Sequence, residues 1–174
     1  SLVADGCESP LTVWNGVIID GHNRYAILQK HPDIPYTVHE KEFADRYEAI
    51  VWICKNQLGR RNLTPEQKKI LIGRQQEAEK NSVGGDRKSQ KAKSEVQNEP
   101  LIYASTAARV AAEMGVNESY VKRAAKYARG VDAAEEAVPG AKNEILSGKL
   151  KATDAKIIAL AQLSKEEIHA ALDE

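Results

Sequence analysis

A small α+β domain followed by an all-helical domain is the fold class this sequence predicts, and three observations carry it. Two short apolar runs, Thr12-Val13-Trp14 and Val17-Ile18-Ile19, flank Asn15-Gly16, the strongest short hairpin signal in the chain. The stretch from Val17 to Ile27 reads as strand, tight polar turn and helix. From Leu101 onward one helix-capping signal follows another with no strand pattern between them. The 174 residues suffice for one domain or two small ones. An apolar share of 42% and a charged share of 29% are ordinary for a water-soluble protein.

The elements follow in order. After the hairpin, Asp20-Gly21 turns the chain into a helix from Arg24 to Lys30. Pro32, Asp33 and Pro35 make a loop, and Tyr36-Thr37-Val38-His39 alternates like a strand. Asp45 opens a helix through Gln57 that carries Ala49, Ile50, Trp52 and Ile53 on one face and ends at Gly59. Thr64-Pro65-Glu66-Gln67 is a capping box with proline at the first helical position, opening a helix to about Lys80. Residues 81–100 are rich in Gly, Ser, Lys and Gln and read as a linker or mobile loop. Ser105 or Thr106 caps a helix ending near Met114, and Asn117 caps the next, from Glu118 to about Arg129. Pro139 starts a helix that ends at Ser147-Gly148, Thr153 caps another through Leu163, and Ser164-Lys165-Glu166-Glu167 boxes the last. The expected division is an α+β domain over 1–62, truncated at its N-terminus; a connecting helix and basic flexible linker over 63–100; and a helical domain over 101–174.

Net charge is +0, so its sum says nothing about a partner, but its distribution does. Cations gather at Lys55, Arg60, Arg61, Lys68, Lys69 and Arg74, at Arg87, Lys88, Lys91 and Lys93, and at Lys122, Arg123, Lys126 and Arg129. A basic middle in a neutral chain fits a nucleic-acid-binding face or a set of solvated helix faces. Cys7 and Cys54 make neither a disulfide framework nor a zinc spacing, and Cys54 falls on an apolar helical stripe expected in the core. Trp14 and Trp52 are expected in the core of the small domain. No signal peptide, lipidation site or long apolar run appears, so the expected location is cytoplasmic. The chain begins without Met and stops inside an amphipathic pattern, as a segment of a longer protein would.

Two constellations carry chemistry. At the first, a helix beginning on a glycine turn directs free N–H groups and its positive dipole end at one spot, where His22, Asn23 and Arg24 stand. An anion such as a nucleotide phosphate fits there; so does a plain strand-to-helix turn whose side chains cap the helix, with His22 bonding Asp20. At the second, Val110 to Val121 carries Ala111 and Gly115 four apart, with Val121 six beyond. This is the spacing of a helix-turn-helix, placed at about 106–129, in which the small residue admits the second helix and the glycine takes the turn. Val110, Met114, Val116 and Val121 would bury the angle. Asn117, Glu118, Ser119, Tyr120, Lys122 and Arg123 open the second helix, whose start faces the major groove in this motif; Lys126 and Arg109 complete the expected DNA-binding set. An ordinary helical hairpin is the competing reading.

The order of these parts, a glycine turn followed downstream by a helix-turn-helix, resembles the ParB family of partition proteins from Gly6 to about Leu163, and most closely its divergent mobile-element and phage members. The resemblance implies a ParB/sulfiredoxin-like α+β domain ahead of the helix-turn-helix domain. In that family a Gly-Glu-Arg-Arg motif grips the triphosphate of CTP, and Gly21, His22, Asn23 and Arg24 stand at its place, with Gly21 and Arg24 matching. A second motif, Glu-Asn-x-Gln-Arg-x-x-Leu-x-Pro, aligns with Asn56 to Pro65; Arg60, Leu63 and Pro65 match, while Asn56 and Gln57 replace the Glu and Asn. The resemblance thus implies CTP with Mg²⁺ at Gly21, His22, Asn23, Arg24, Asn56, Gln57, Arg60 and Arg61. Magnesium prefers anionic oxygen ligands, so Asn56 in place of the carboxylate points to binding rather than hydrolysis. The sulfiredoxin branch needs a cysteine where His22 stands. The implied partners are double-stranded DNA, a second copy as homodimer and, through a region outside this chain, a ParA-like ATPase, with no membrane; the implied setting is the bacterial nucleoid or a plasmid. The alternatives are a nucleotide-dependent phosphotransferase or nuclease on the same scaffold, or a mobile-element regulator of transcription or replication.

Overall fold

The computed structural model describes residues 6–60, 62–84, 105–150 and 152–173. These residues form eight helices and one three-stranded sheet, and the chain divides between Ala49 and Ile50 into two compact units.

In the first unit, β1 (Leu11–Trp14) and β2 (Val17–Asp20) form the expected antiparallel hairpin, pairing Val13 with Ile18 and Trp14 with Val17. Asn15 and Gly16 both take positive φ, 48° and 76°, which a two-residue turn matched to strand twist requires. β3 (Val38–Glu40) lies parallel to β1 on its other side, giving the order β2-β1-β3. Helix α1 (His22–Leu28) leaves β2 through Gly21 and buries Leu28; it starts two residues before the expected Arg24, because Gly21 itself is the last non-helical residue. Leu11 and Ile19 are also buried. Trp14 is half-buried, its ring edge-on to Phe43 with centroids 6.0 Å apart.

Helix α2 (Arg46–Leu58) contains the division between the units. A reciprocal cap starts it: Glu48 N–H donates to Asp45 Oδ1 at 2.8 Å, and Ala44 N–H to Glu48 Oε2 at 2.7 Å. Cys54 is 2% exposed, and burial pushes its thiol up to about 11, with Glu79 adding to the rise and Arg74 opposing it. Iodoacetamide near pH 8 should therefore modify half-buried Cys7 while Cys54 reacts about 100-fold more slowly, the thiolate being the nucleophile. Equal labelling by mass spectrometry would contradict the burial. Trp52 is half-buried, outside the core expected for it.

The second unit is built on two long helices, α3 (Pro65–Gly84) and α5 (Glu118–Ala137), with α4 (Thr106–Met114), α6 (Ala141–Ser147), α7 (Asp154–Leu160) and α8 (Lys165–Asp173) around them. The Thr64 box forms as expected, Thr64 N–H to Gln67 Oε1 at 2.9 Å and Gln67 N–H to Thr64 Oγ1 at 3.2 Å. The Ser164–Glu167 box forms likewise. One apolar cluster joins Ile70, Tyr127, Val131, Ala134, Ile145, Ile157, Leu160 and Ile168. A second joins Ile72, Ala107, Val110, Ala111, Val121 and Ala124. Both use α3, so residues 65–84 belong to the core of the helical unit rather than to a connector, and the unit boundary lies inside α2 rather than at residue 62. Residues 85–100 of the expected linker lie outside the described residues.

Glycine sets the closest helix approaches. A Cβ on Gly73 of α3 would fall on the Ala124 carbonyl of α5, and one on Gly130 of α5 would fall on the Ile157 carbonyl of α7. Helix α5 therefore runs through Gly130 to Ala137, eight residues past the expected end at Arg129: Gly130 is a crossing point, not a terminus. Lys69 also ties α3 to α7, its ammonium 2.6 Å from Asp154 Oδ1 and 4.6 Å from the Tyr127 ring centroid.

Candidate nucleic-acid interface

The segment from Ser105 to Lys126 forms a helix, a tight turn and a second helix, each junction fixed by a local cap. Ser105 Oγ accepts from Ala108 N–H at 3.1 Å and donates to Glu118 Oε1 at 2.8 Å, so one hydroxyl joins the starts of α4 and α5. Gly115 ends α4 at φ 66°, and Val116 N–H reaches back to the Ala111 carbonyl at 3.0 Å, a Schellman closure that a side chain with Cβ would strain. Asn117 Oδ1 accepts from Tyr120 N–H at 2.7 Å and opens α5. The expected apolar angle is present: Val110 and Val121 are fully buried, with Met114 and Val116 packed at its margin.

The outward face of α5 carries Ser119, Lys122, Arg123 and Lys126, all exposed. Residues three and four apart share a helix face, so these four form one stripe. Arg123 and Lys126 have no ion pair among the described residues. Lys122 is 2.8 Å from Glu118. Together with Ser105, Lys122 holds the Glu118 carboxyl below the usual carboxylate range. Glu118 is thus a paired cap rather than a bare charge facing a phosphate. Asn117 is exposed but spends its side-chain oxygen on the cap. Tyr120 departs from the expected outward set: its ring is half-buried against the Val110–Val121 cluster.

Arg109 is exposed but paired. Its guanidinium lies 2.7 Å from Glu79, which is 5% exposed. Gln75, fully buried, donates its amide to Glu79 at 3.0 Å and to Glu113 at 3.1 Å, and Lys55 meets Glu113 at 2.8 Å. This polar network underlies α4 and leaves the α5 stripe as the outward cationic surface of the motif.

Beside the stripe lies an open groove of about 500 Å³ between α3 and the starts of α4 and α5, lined by Gln76, Lys80, Thr106, Lys122, Lys126 and Arg129 among others. Gln76 and Lys80 lie on α3, which the sequence presents as a connecting helix. The only available signal is their spacing, four apart on one helix face.

The glycine turn of the first unit has a different character. Gly21 sits at φ 97°, and a Cβ there would lie 2.7 Å from Leu11 Cδ2 and 2.9 Å from Arg24 Nη2. Arg24 Nη2 donates to the Pro10 carbonyl at 3.0 Å and to Asp20 at 3.2 Å, while its Nε is buried without an acceptor among the described residues. His22 and Asn23 are exposed in the first helical turn, which has no side-chain cap. Asn56 and Gln57 occupy the last turn of α2; Arg60 follows it, its N–H bonded to the Gln57 carbonyl at 3.0 Å. Arg61 lies outside the described residues. The two motifs fall in different units, Gly21–Arg24 in the first and Asn56–Arg60 in the second. No group of three or more His, Cys, Asp or Glu side chains among the described residues is arranged to hold a metal ion. Arg24 is thus bonded to its own turn and to the Pro10 carbonyl, and the helix starts without a side-chain cap.

Among the described residues no helix is long and apolar enough to cross a membrane. No family model, curated protein or solved structure matches the chain.

Proposed function

We infer that this chain is a sequence-specific DNA-binding protein whose recognition helix is α5. The observation that supports it most is the pairing of a capped helix-turn-helix with an exposed stripe on its second helix, where Arg123 and Lys126, without an ion pair among the described residues, stand beside Ser119 and Lys122. Unpaired cations on a rigid helix suit both base edges and phosphates: arginine bonds guanine in two places, and lysine neutralises the backbone. The resemblance to ParB proteins adds the setting, partition of a plasmid or chromosome, with a second copy and a ParA-like ATPase as partners. The nucleotide chemistry of that family has less support, because Arg24 bonds Asp20 and Pro10.

Selection from a random duplex pool, followed by binding titrations, tests the reading. The expected result is an enriched sequence, with Lys122→Ala/Arg123→Ala losing about 2–4 kcal/mol of affinity for it and much of its preference over random duplex. Both residues are exposed, so the variant should melt with the native chain. Unchanged binding to the selected sequence would remove the assignment to α5.

A further inference from the structure

We propose that the groove between α3, α4 and α5 is a seat for the phosphodiester backbone of duplex DNA, built from Gln76, Lys80, Lys126 and Arg129 at the N-terminus of α4. The proposal rests on the DNA-binding reading of α5 and extends it to a helix outside the helix-turn-helix.

Four cations line the groove, Lys80, Lys122, Lys126 and Arg129, against one lining carboxylate, Glu77, which stands 3.9 Å from Arg129; Glu118, outside the lining, pairs with Lys122 at 2.8 Å. Lys80 and Lys126 have no ion pair among the described residues, and both are exposed. Besides these cations, the start of α4 points to an anion. Thr106 and Ala107 open the nine-residue α4 on the groove wall, and neither backbone N–H has an acceptor among the described residues; the Ser105 hydroxyl serves Ala108 instead. Such N–H groups, at the positive end of the helix dipole, suit a phosphate oxygen. Gln76 is only 8% exposed and lines the same groove, and its Oε1 has no donor among the described residues. The other end of this side chain, its N–H₂ group, is a donor type that a phosphate oxygen accepts from. Lys122 and Lys126 belong both to the groove and to the α5 stripe, so a strand whose bases meet the stripe has its backbone beside Lys80. Contacts of this kind carry affinity and register but no sequence information.

The test compares native chain with Lys80→Ala/Lys126→Ala on two labelled duplexes, the selected sequence and a random one, across a salt series. Each phosphate contact contributes about 0.9 to the slope of log affinity against log salt. The double variant should therefore have a slope shallower by about 2, with similar loss of affinity on both duplexes, and Lys80→Arg/Lys126→Arg should restore the native slope. Native chain that binds duplex while the double variant keeps its slope overturns the backbone seat and leaves the α5 reading standing. Loss confined to the selected sequence also overturns it, since that is base reading. Calorimetry with inorganic triphosphate separates a free-anion site: heat abolished by the double variant, with DNA slopes unchanged, overturns the backbone as ligand. Native chain that binds no duplex overturns both proposals.

Discussion

Gly130→Ala is expected to destabilise the helical unit by about 3 kcal/mol or more, near the upper end for overpacking substitutions. In an isolated helix the same change would stabilise by about 1 kcal/mol, because glycine is a poor helix former. The sign reverses because the new Cβ meets the Ile157 carbonyl, which is backbone and has no rotamer to yield. Relief requires α5 and α7 to separate, and that opens the cluster around Val131, Ile157 and Leu160, all at most 1% exposed. Urea denaturation followed by circular dichroism measures it. A midpoint equal to or above that of the native chain would mean that the two helices do not approach so closely.

Glu79→Ala should cost about 2–3 kcal/mol. Breaking a buried pair by removing one partner typically costs about 3–5 kcal/mol, and the figure is reduced here because Arg109 keeps 48% of its side chain exposed and can turn to water. Gln75 has no such recourse. It is fully buried, its Oε1 is already without a donor, and its amide hydrogen would lose the Glu79 acceptor. Glu79→Gln restores an acceptor without the charge and should fall between the two. An alanine variant within about 0.5 kcal/mol of the native chain, the range of ordinary surface changes, would contradict the network.

The legible parts of this chain were those whose physics is local. Asn15-Gly16 predicts its hairpin because the turn needs two positive φ angles and these residues accept them. Thr64, Ser105, Asn117, Thr153 and Ser164 predict helix starts because a short oxygen side chain and an N–H two or three residues on are all that a cap requires. Gly130 is ambiguous in the sequence because a helical glycine can end a helix or let another backbone approach, and only the position of Ile157 decides which. The run from Gln75 to Lys80 reads as a solvated face, yet Gln75, Gln76 and Glu79 are buried under α4 and α5. No period in the sequence announces a polar core. The stripe at Ser119, Lys122, Arg123 and Lys126 is legible from helix spacing, whereas the packing of Tyr120 on the Val110–Val121 cluster and the pairing of Arg109 with Glu79 depend on partners that only the fold brings together.

The glycine crossings have one more consequence. Backbone carbonyls hold α5 through Gly73 and Gly130, and no outward residue of the stripe takes part in that hold. The helix is thus an exchangeable faceplate on a fixed mount. Substitutions at Ser119, Arg123 and Lys126 should add independently to those in the core, whereas Lys122 also pairs with the Glu118 cap. A helix seated by two such close backbone approaches has little room to shift, and the less freedom it surrenders when a ligand arrives, the more of each contact is visible as affinity.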